Sequence, residues 1–207
     1  MTQAVVLGST GCIGNNIVRA CLAAGWQVRA FHRQGSDTWM LDGLQAEHVV
    51  GDIMEPASLV DAMEGCDVAF HAAAYYPLHS LDMRGSLRTA VTGMRHVLAA
   101  ADEAKVGRLV FTSTLTTIGA PARAGCPADE DDFYLPGSTD SAYFESKWAM
   151  EAEAWRAAAQ GRPVVIVNPT AVFRPRDAKP TTGETLGHRA PGRLHLWHHM
   201  AITVSQS

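Results

Sequence analysis

Cysteine is scarce in this sequence, with four residues in 207: Cys12, Cys21, Cys66 and Cys126. They are scattered and form no C-x-x-C pair, so neither a zinc site nor a disulfide framework is expected. Positive charge is not in excess either. A net charge of −4 provides none of the basic surface that a phosphate backbone demands, and nucleic acid is not an expected partner. No apolar run approaches the roughly 20 residues of a membrane span. The N-terminus enters an apolar strand at once, without the charged and apolar leader of a signal peptide. These absences lead us to expect a cytoplasmic protein with no membrane contact. At 47% hydrophobic and 207 residues, the chain can build one sizeable core and not two.

The richest stretch lies at the start. An apolar run, Ala4-Val5-Val6-Leu7, leads into Gly8-Ser9-Thr10-Gly11-Cys12-Ile13-Gly14 and then into an amphipathic segment from Asn15 to Ala24. Strand, glycine turn and helix in that order set a dinucleotide pyrophosphate on a helix N-terminus. Gly8 permits the tight turn, Gly11 allows close approach of the phosphates, and Gly14 allows helix and strand to touch. The spacing is G-x-x-G-x-x-G, and a glycine-rich strand end also has a purely local reading. Cys12 fits two roles, a reactive thiol at a helix start or a small buried filler.

Short apolar strands alternate with helices over most of the chain. Strands are expected at Ala4–Leu7, Trp26–His32, His48–Val50, Asp67–His71, Arg108–Phe111 and Pro163–Val167. Helices are expected at Asn15–Ala24, Pro56–Glu64, Leu81–Ala104 and Ser141–Gln160. This is the pattern of an α/β protein, a doubly wound parallel sheet (Rossmann fold) with helices on both faces. We expect residues 1–180 to form that domain. From 181 to 207 the pattern ceases and a poorly ordered tail is expected. Four histidines fall between His188 and His199, but they have no acidic or cysteine partners, and no metal site is expected.

Chemistry-bearing residues gather downstream. Tyr143 and Lys147 stand at i and i+4 on one helix face. Tyrosine ionises near pH 10, and an adjacent ammonium favours its phenolate, which suits it to acid–base work. The fifth strand ends in Thr112-Ser113-Thr114-Leu115-Thr116-Thr117, where Thr114 or Ser113 offers a hydroxyl to a substrate carbonyl oxygen. In a parallel sheet the carboxyl ends of the strands face one crevice, so these groups can meet there. Arg33, at the end of the second strand, matches a ribose 2′-phosphate through its guanidinium fork. Its alternative reading is a solvated loop charge.

Taken in order, GSTGCIG at 8–14, GDI at 51–53, HAAAY at 71–75, VFTSTLTTIG at 110–119, YFESK at 143–147 and VNPTAV at 167–172 resemble the extended short-chain dehydrogenase/reductase family. Within it the chain is most similar to dihydroflavonol-4-reductase-like and NAD(P)-dependent epimerase/dehydratase proteins. The resemblance implies that Thr114, Tyr143 and Lys147 are the catalytic group. Lys147 would also hold the nicotinamide ribose. It implies cofactor contacts from Gly8, Thr10, Gly11, Cys12, Ile13 and Gly14, and from Asp52 and Ile53 beside the adenine. Ala72 and Ala73 would line the phosphate–ribose path, and Pro169 to Val172 would border the nicotinamide. Asp52 has a local reading as well, as a cap for the next helix. The implied activity is hydride transfer to or from a carbonyl or secondary alcohol of a small molecule. Arg33 tilts the expected cofactor to NADP, with NAD the other candidate. A nucleotide-sugar epimerase or dehydratase and a nucleotide-binding module without turnover are the competing functions. Family members often dimerise through two long helices, which would make this chain a homodimer.

The sequence departs from the family in three places. Ala90 stands where the family usually has asparagine, and Arg174-Pro175 stands where it has Gly-Pro. Extended members continue for a further substrate-binding lobe, which is expected to be largely missing here, through a frameshift or truncation near Thr185–His188 or as a natural minimal form. Substrate choice within the chain would then fall to Tyr75–His79 and Ile118–Tyr134.

Overall fold

The structure, a computed structural model, describes residues 1–73, 80–121, 123, 125–170 and 172. Six parallel strands form one sheet: β1 (Gln3–Leu7), β2 (Gln27–His32), β3 (Glu47–Val50), β4 (Val68–His71), β5 (Arg108–Thr112) and β6 (Val164–Val167). Their spatial order is β3-β2-β1-β4-β5-β6. The chain therefore winds outward from β1 in one direction, then crosses back to β4 and winds outward in the other. Four helices make the crossovers: α1 (Cys12–Ala23), α2 (Pro56–Met63), α3 (Met83–Glu103) and α4 (Ala142–Ala159). The link from β2 to β3 carries only a 3-10 turn, Trp39–Leu41.

β1 lies at the centre, and residues Ala4 to Leu7 are fully buried. Its alternation divides the interior in two. Val5 and Leu7 belong to the larger cluster with Leu59 and Met63 of α2, Met94 and Val97 of α3, Phe111, and Met150 and Ala154 of α4. Val6 belongs to the smaller cluster with Val18 of α1, Val28 and Ala30 of β2, and Leu41. The sheet is thus covered on both faces, as the continuous apolar strands require.

Helix starts follow their caps. α1 begins at Cys12, three residues before the amphipathic pattern suggests, because Gly11 is the cap and its carbonyl accepts the first helical bond from Asn15 N at 2.8 Å. The expected start at Asn15 is corrected accordingly, and Cys12, Ile13 and Gly14 become the first turn. α3 begins at Met83 because Asp82 caps it, its Oδ1 accepting from Gly85 N at 2.9 Å. Leu81, expected in that helix, is exposed before it.

Met94 is fully buried between α3 and the sheet, so Met94→Ala leaves a cavity there. We expect urea unfolding to show a loss of about 2 to 5 kcal/mol.

Candidate active site

The strand order reverses between β1 and β4, and there the ends of those two strands converge. Gly8, which follows β1, has φ +83, and a Cβ on it would lie 2.6 Å from the backbone N and Cα of Ala73, beyond the end of β4. Ala72 N donates to Leu7 O at 3.0 Å, completing the approach. Ser9 is buried, and its hydroxyl donates to Phe31 O at 3.0 Å, tying the turn to β2. A Cβ on Gly14 would run into the Gly8 carbonyl, which is why helix and turn can pack so closely. Gly11 differs. It is exposed, and its Cβ would meet only the Gly8 carbonyl, at 3.4 Å. Thr10, Cys12 and Ile13 are half-buried around it.

The start of α1 has no side-chain cap and no acidic residue in its first turn. A helix start of that kind suits an anion, with the positive end of the helix dipole facing it. An open glycine before an uncapped helix at the switch point fits a dinucleotide pyrophosphate.

A cavity of about 530 Å³ opens past the ends of β2 and β3. Arg33, Ser36, Asp37, Gly51 and Asp52 stand on its wall, so Arg33 and Asp52, two of the three residues that sequence reading assigned to the adenosine end, share it. Asp52 also holds its own loop, with Oδ1 accepting from Met54 N at 2.9 Å. Asp52 does not cap α2, whose cap is Glu55. Ile53 is off this wall. Its side chain rests against Gly93 of α3, and its carbonyl lies 3.1 Å from His96 Nδ1.

The reactive corner lies on the other side of the crevice. Lys147 is only 4% exposed, and its ammonium donates to Thr112 O at 3.3 Å, with Nζ 5.5 Å from the centre of the Phe111 ring. Burial lowers its pKa to about 8, against the pull of Glu151, which raises it. Tyr143 sits one turn earlier on α4, half-buried and edge-on to Phe144. Thr114 opens the 3-10 turn Leu115–Thr117, with its hydroxyl accepting weakly from Thr116 N at 3.4 Å. Ser113, the alternative hydroxyl, donates to the Glu151 carboxylate and is committed to the interior. Pro169 is tied to the same turn, its carbonyl accepting from Leu115 N at 3.0 Å. Val172 is half-buried nearby in sequence.

Several buried groups were not singled out from sequence. Glu151 and Asn168 lie beneath the turn, and Glu145 holds the following loop by accepting from Tyr134 Oη and Gly137 N, each at 2.7 Å. The i+4 step from Lys147 to Glu151 was the available signal. His71 ends β4, fully buried, with neither ring nitrogen bonded among the described residues. Ala90, which replaces the family asparagine, is simply packed in the larger core cluster.

Cys21 and Cys66 are buried, and burial pushes both thiols up; Cys12 is half-buried and Cys126 exposed. No group of metal-ligating side chains occurs among the described residues, and no described helix is long and apolar enough to cross a membrane. Residues 75–79, Ala171, Arg174-Pro175 and the histidines from His188 onward lie outside the described residues.

A six-stranded parallel sheet with a glycine turn at its switch point defines a Rossmann-type, dinucleotide-binding protein. The sequence comparison sharpens that class: the chain belongs to the NAD dependent epimerase/dehydratase family, which it matches over residues 4–202. This is the extended short-chain dehydrogenase/reductase group that the ordered motifs resemble. It is 41% identical over 182 residues to a Synechocystis sp. protein provisionally named a dihydroflavonol 4-reductase, covering 87% of this chain and 52% of that one. It is 35% identical over 194 residues to sterol demethylase protein B of Methylococcus capsulatus, covering 93% and 58%. The crystal structure of gox2253 superposes with a TM-score of 0.81 at 32% identity, covering 89% of this chain and 56% of that one. The chain thus spans about half the length of the relatives it matches.

His71 supplies an acid-side test. Burial, then the neighbouring Lys147 charge, lowers its pKa from 6.5 to about 3. The unfolded chain takes up this proton below pH 6.5 while the native chain refuses it until about pH 3, so stability falls as pH falls through that window. The slope from one such group is at most about 1.4 kcal/mol per pH unit. We expect His71→Leu to flatten the decline by up to that amount, read from urea unfolding at several values across the window.

Proposed function

We propose that this chain holds NADPH across the β1–β4 crevice and takes part in the interconversion of a carbonyl and a secondary alcohol on a small molecule. The observation that carries the reading is the buried Lys147 ammonium. It is anchored to the end of β5 two residues from Thr114 and stands one helical turn from Tyr143. The nicotinamide, when bound, supplies or accepts the hydride.

This chain's own residues handle the proton and the charge. Tyr143 gives the proton of its Oη to the oxygen that becomes the alcohol, and takes it back in the reverse direction. Lys147 favours the phenolate that this leaves and donates to the nicotinamide ribose. Thr114 donates its hydroxyl to the same substrate oxygen and fixes its position. Gly8, Gly11 and Gly14 give the pyrophosphate its approach, with Thr10, Cys12 and Ile13 contributing first-turn backbone. Ala72 and Ala73 line the path between the two halves. Asp52 flanks the adenine, Ile53 backs that loop against α3, and Pro169 and Val172 border the nicotinamide.

The preference for NADPH rests on Arg33, exposed on the rim of the 530 Å³ cavity at the end of β2, while Asp37 on the same wall is the acidic group that would favour the unphosphorylated ribose. The family name supports a second reading, an epimerase or dehydratase using the same residues with retained NAD. Tightly bound NAD in the purified protein would select it.

Tyr143→Phe is expected to abolish NADPH oxidation with any carbonyl the wild type accepts, while fluorescence titration finds cofactor affinity near wild type. Lys147→Ala should damage both. A Phe variant with full rate removes Tyr143 from the proton step.

Arg33→Ala is expected to weaken NADPH binding by at least about tenfold relative to NADH, the loss of one charge-assisted contact. Tighter binding of NADH than of NADPH by the wild type overturns the cofactor preference.

A further inference from the structure

The described residues include a second carboxylate-centred cluster, beneath the reactive corner, that the proton transfer itself does not use. Glu151 is 9% exposed, one turn beyond Lys147 on α4. Its Oε2 accepts from Ser113 Oγ, from Thr117 Oγ1 at 2.5 Å and from Asn168 Nδ2 at 2.9 Å, and its Oε1 accepts from Trp155 Nε1 at 3.3 Å. The donors come from the residue after β5, from the turn that follows it, from the residue after β6 and, through Trp155, from α4 itself. A buried carboxylate with this many donors is costly to strip and rigid while intact.

The Thr117 hydroxyl has one proton and two acceptors in reach, Glu151 Oε2 and the Thr114 carbonyl at 2.8 Å. Asn168 Nδ2 reaches the Thr114 carbonyl as well, at 3.3 Å, and Thr117 Oγ1 at 2.8 Å. The backbone of Thr114 is therefore held by the very groups that Glu151 holds.

We propose that Glu151 is a positioning residue for the Thr114–Tyr143–Lys147 group, its carboxylate tying the turn that carries Thr114 to the helix that carries Tyr143 and Lys147. The proposal rests on the functional reading above for its effect on turnover, and on geometry alone for the tie itself. Its electrostatic side follows from position. Glu151 on α4 and neutral His71 at the end of β4 interact with the Lys147 ammonium, and Tyr143 stands one turn away on α4. Of these, only Glu151 brings a negative charge that opposes the desolvation of the lysine.

The test uses the full chain and its lysine content. With only Lys105, Lys147 and Lys179 present, ¹³Cε-lysine labelling gives three signals, and Lys147→Met identifies the one of interest. In the wild type without cofactor that signal should titrate near pH 8. In Glu151→Gln, which keeps the shape and removes the charge, we expect its midpoint about one pH unit lower. With NADPH and a carbonyl that the wild type accepts, kcat should fall by about 10- to 100-fold while the KM for NADPH stays near wild type.

A role confined to stability would lower the melting temperature and leave both the midpoint and kcat of the folded variant unchanged. That result overturns the proposal. Should the Gln variant fail to fold, Thr117→Val removes one strand of the tie and leaves every charge in place. A reduced kcat with an unmoved Lys147 midpoint supports the proposal, and a wild-type kcat overturns it. If no carbonyl is ever reduced but the midpoint falls in Glu151→Gln, the functional reading fails and the Glu151–Lys147 link stands. If the wild type turns over and both variants match it, the reading stands and the positioning role fails.

Discussion

The crevice exists because the backbone of Gly8 can come within contact of the backbone of Ala73. Only a residue without a Cβ, free to adopt φ +83, closes that gap. From this one approach the rest follows. The turn after β1 is drawn over the end of β4, Gly14 packs against the Gly8 carbonyl, and α1 starts directly after the turn at the switch point. A side chain at Gly8 would push β1 and β4 apart at the position where their divergence makes a binding site. The same contact sets the relation between the two halves of the crevice. The glycine turn lies on one side, and β5 with its hydroxyl turn lies on the other, both registered on β4.

Across β4 the design changes from backbone to buried charge. Lys147, Glu151 and His71 are each removed from water, and each takes a different solution to the cost. Histidine stays neutral. The glutamate collects donors from three segments. The lysine keeps its proton less firmly, with one donor spent on Thr112 O and an aromatic face nearby. A charge held out of water acts on a group one turn away with less screening than a solvated lysine would.

Sequence pattern captured the elements that have periodicity. All six strands and all four helices were legible, because buried parallel strands read as short apolar runs between glycine and proline breaks. The start of α1 was not, since its first turn, Cys12-Ile13-Gly14, belongs to the glycine motif and lacks an amphipathic signature. The choice between Ser113 and Thr114 was also closed to sequence. Two adjacent hydroxyls on an extended segment point to opposite faces, and only packing reveals that the Ser113 side chain is the one donating inward to Glu151. Glu151 and Asn168 escaped notice for a related reason. A carboxylate and an amide read as surface residues until tertiary contacts bring them together across 17 positions.

The geometry of α4 explains why the interior tie and the reactive face occur on one helix. Tyr143, Lys147, Glu151 and Trp155 stand at successive steps of four. Four residues turn an α-helix by slightly more than a full circle, so each step drifts by about 40° around the axis. The row therefore does not run straight along the crevice. It begins at half-buried Tyr143 and rotates inward through Lys147 to Glu151, whose carboxylate receives the indole N–H of Trp155 from the last step. Only a repeat of four residues per turn would keep all four side chains on one line and leave Glu151 facing the crevice with the tyrosine. The natural drift of the helix is what lets one row of side chains stand half-buried at one end and anchor the sheet at the other.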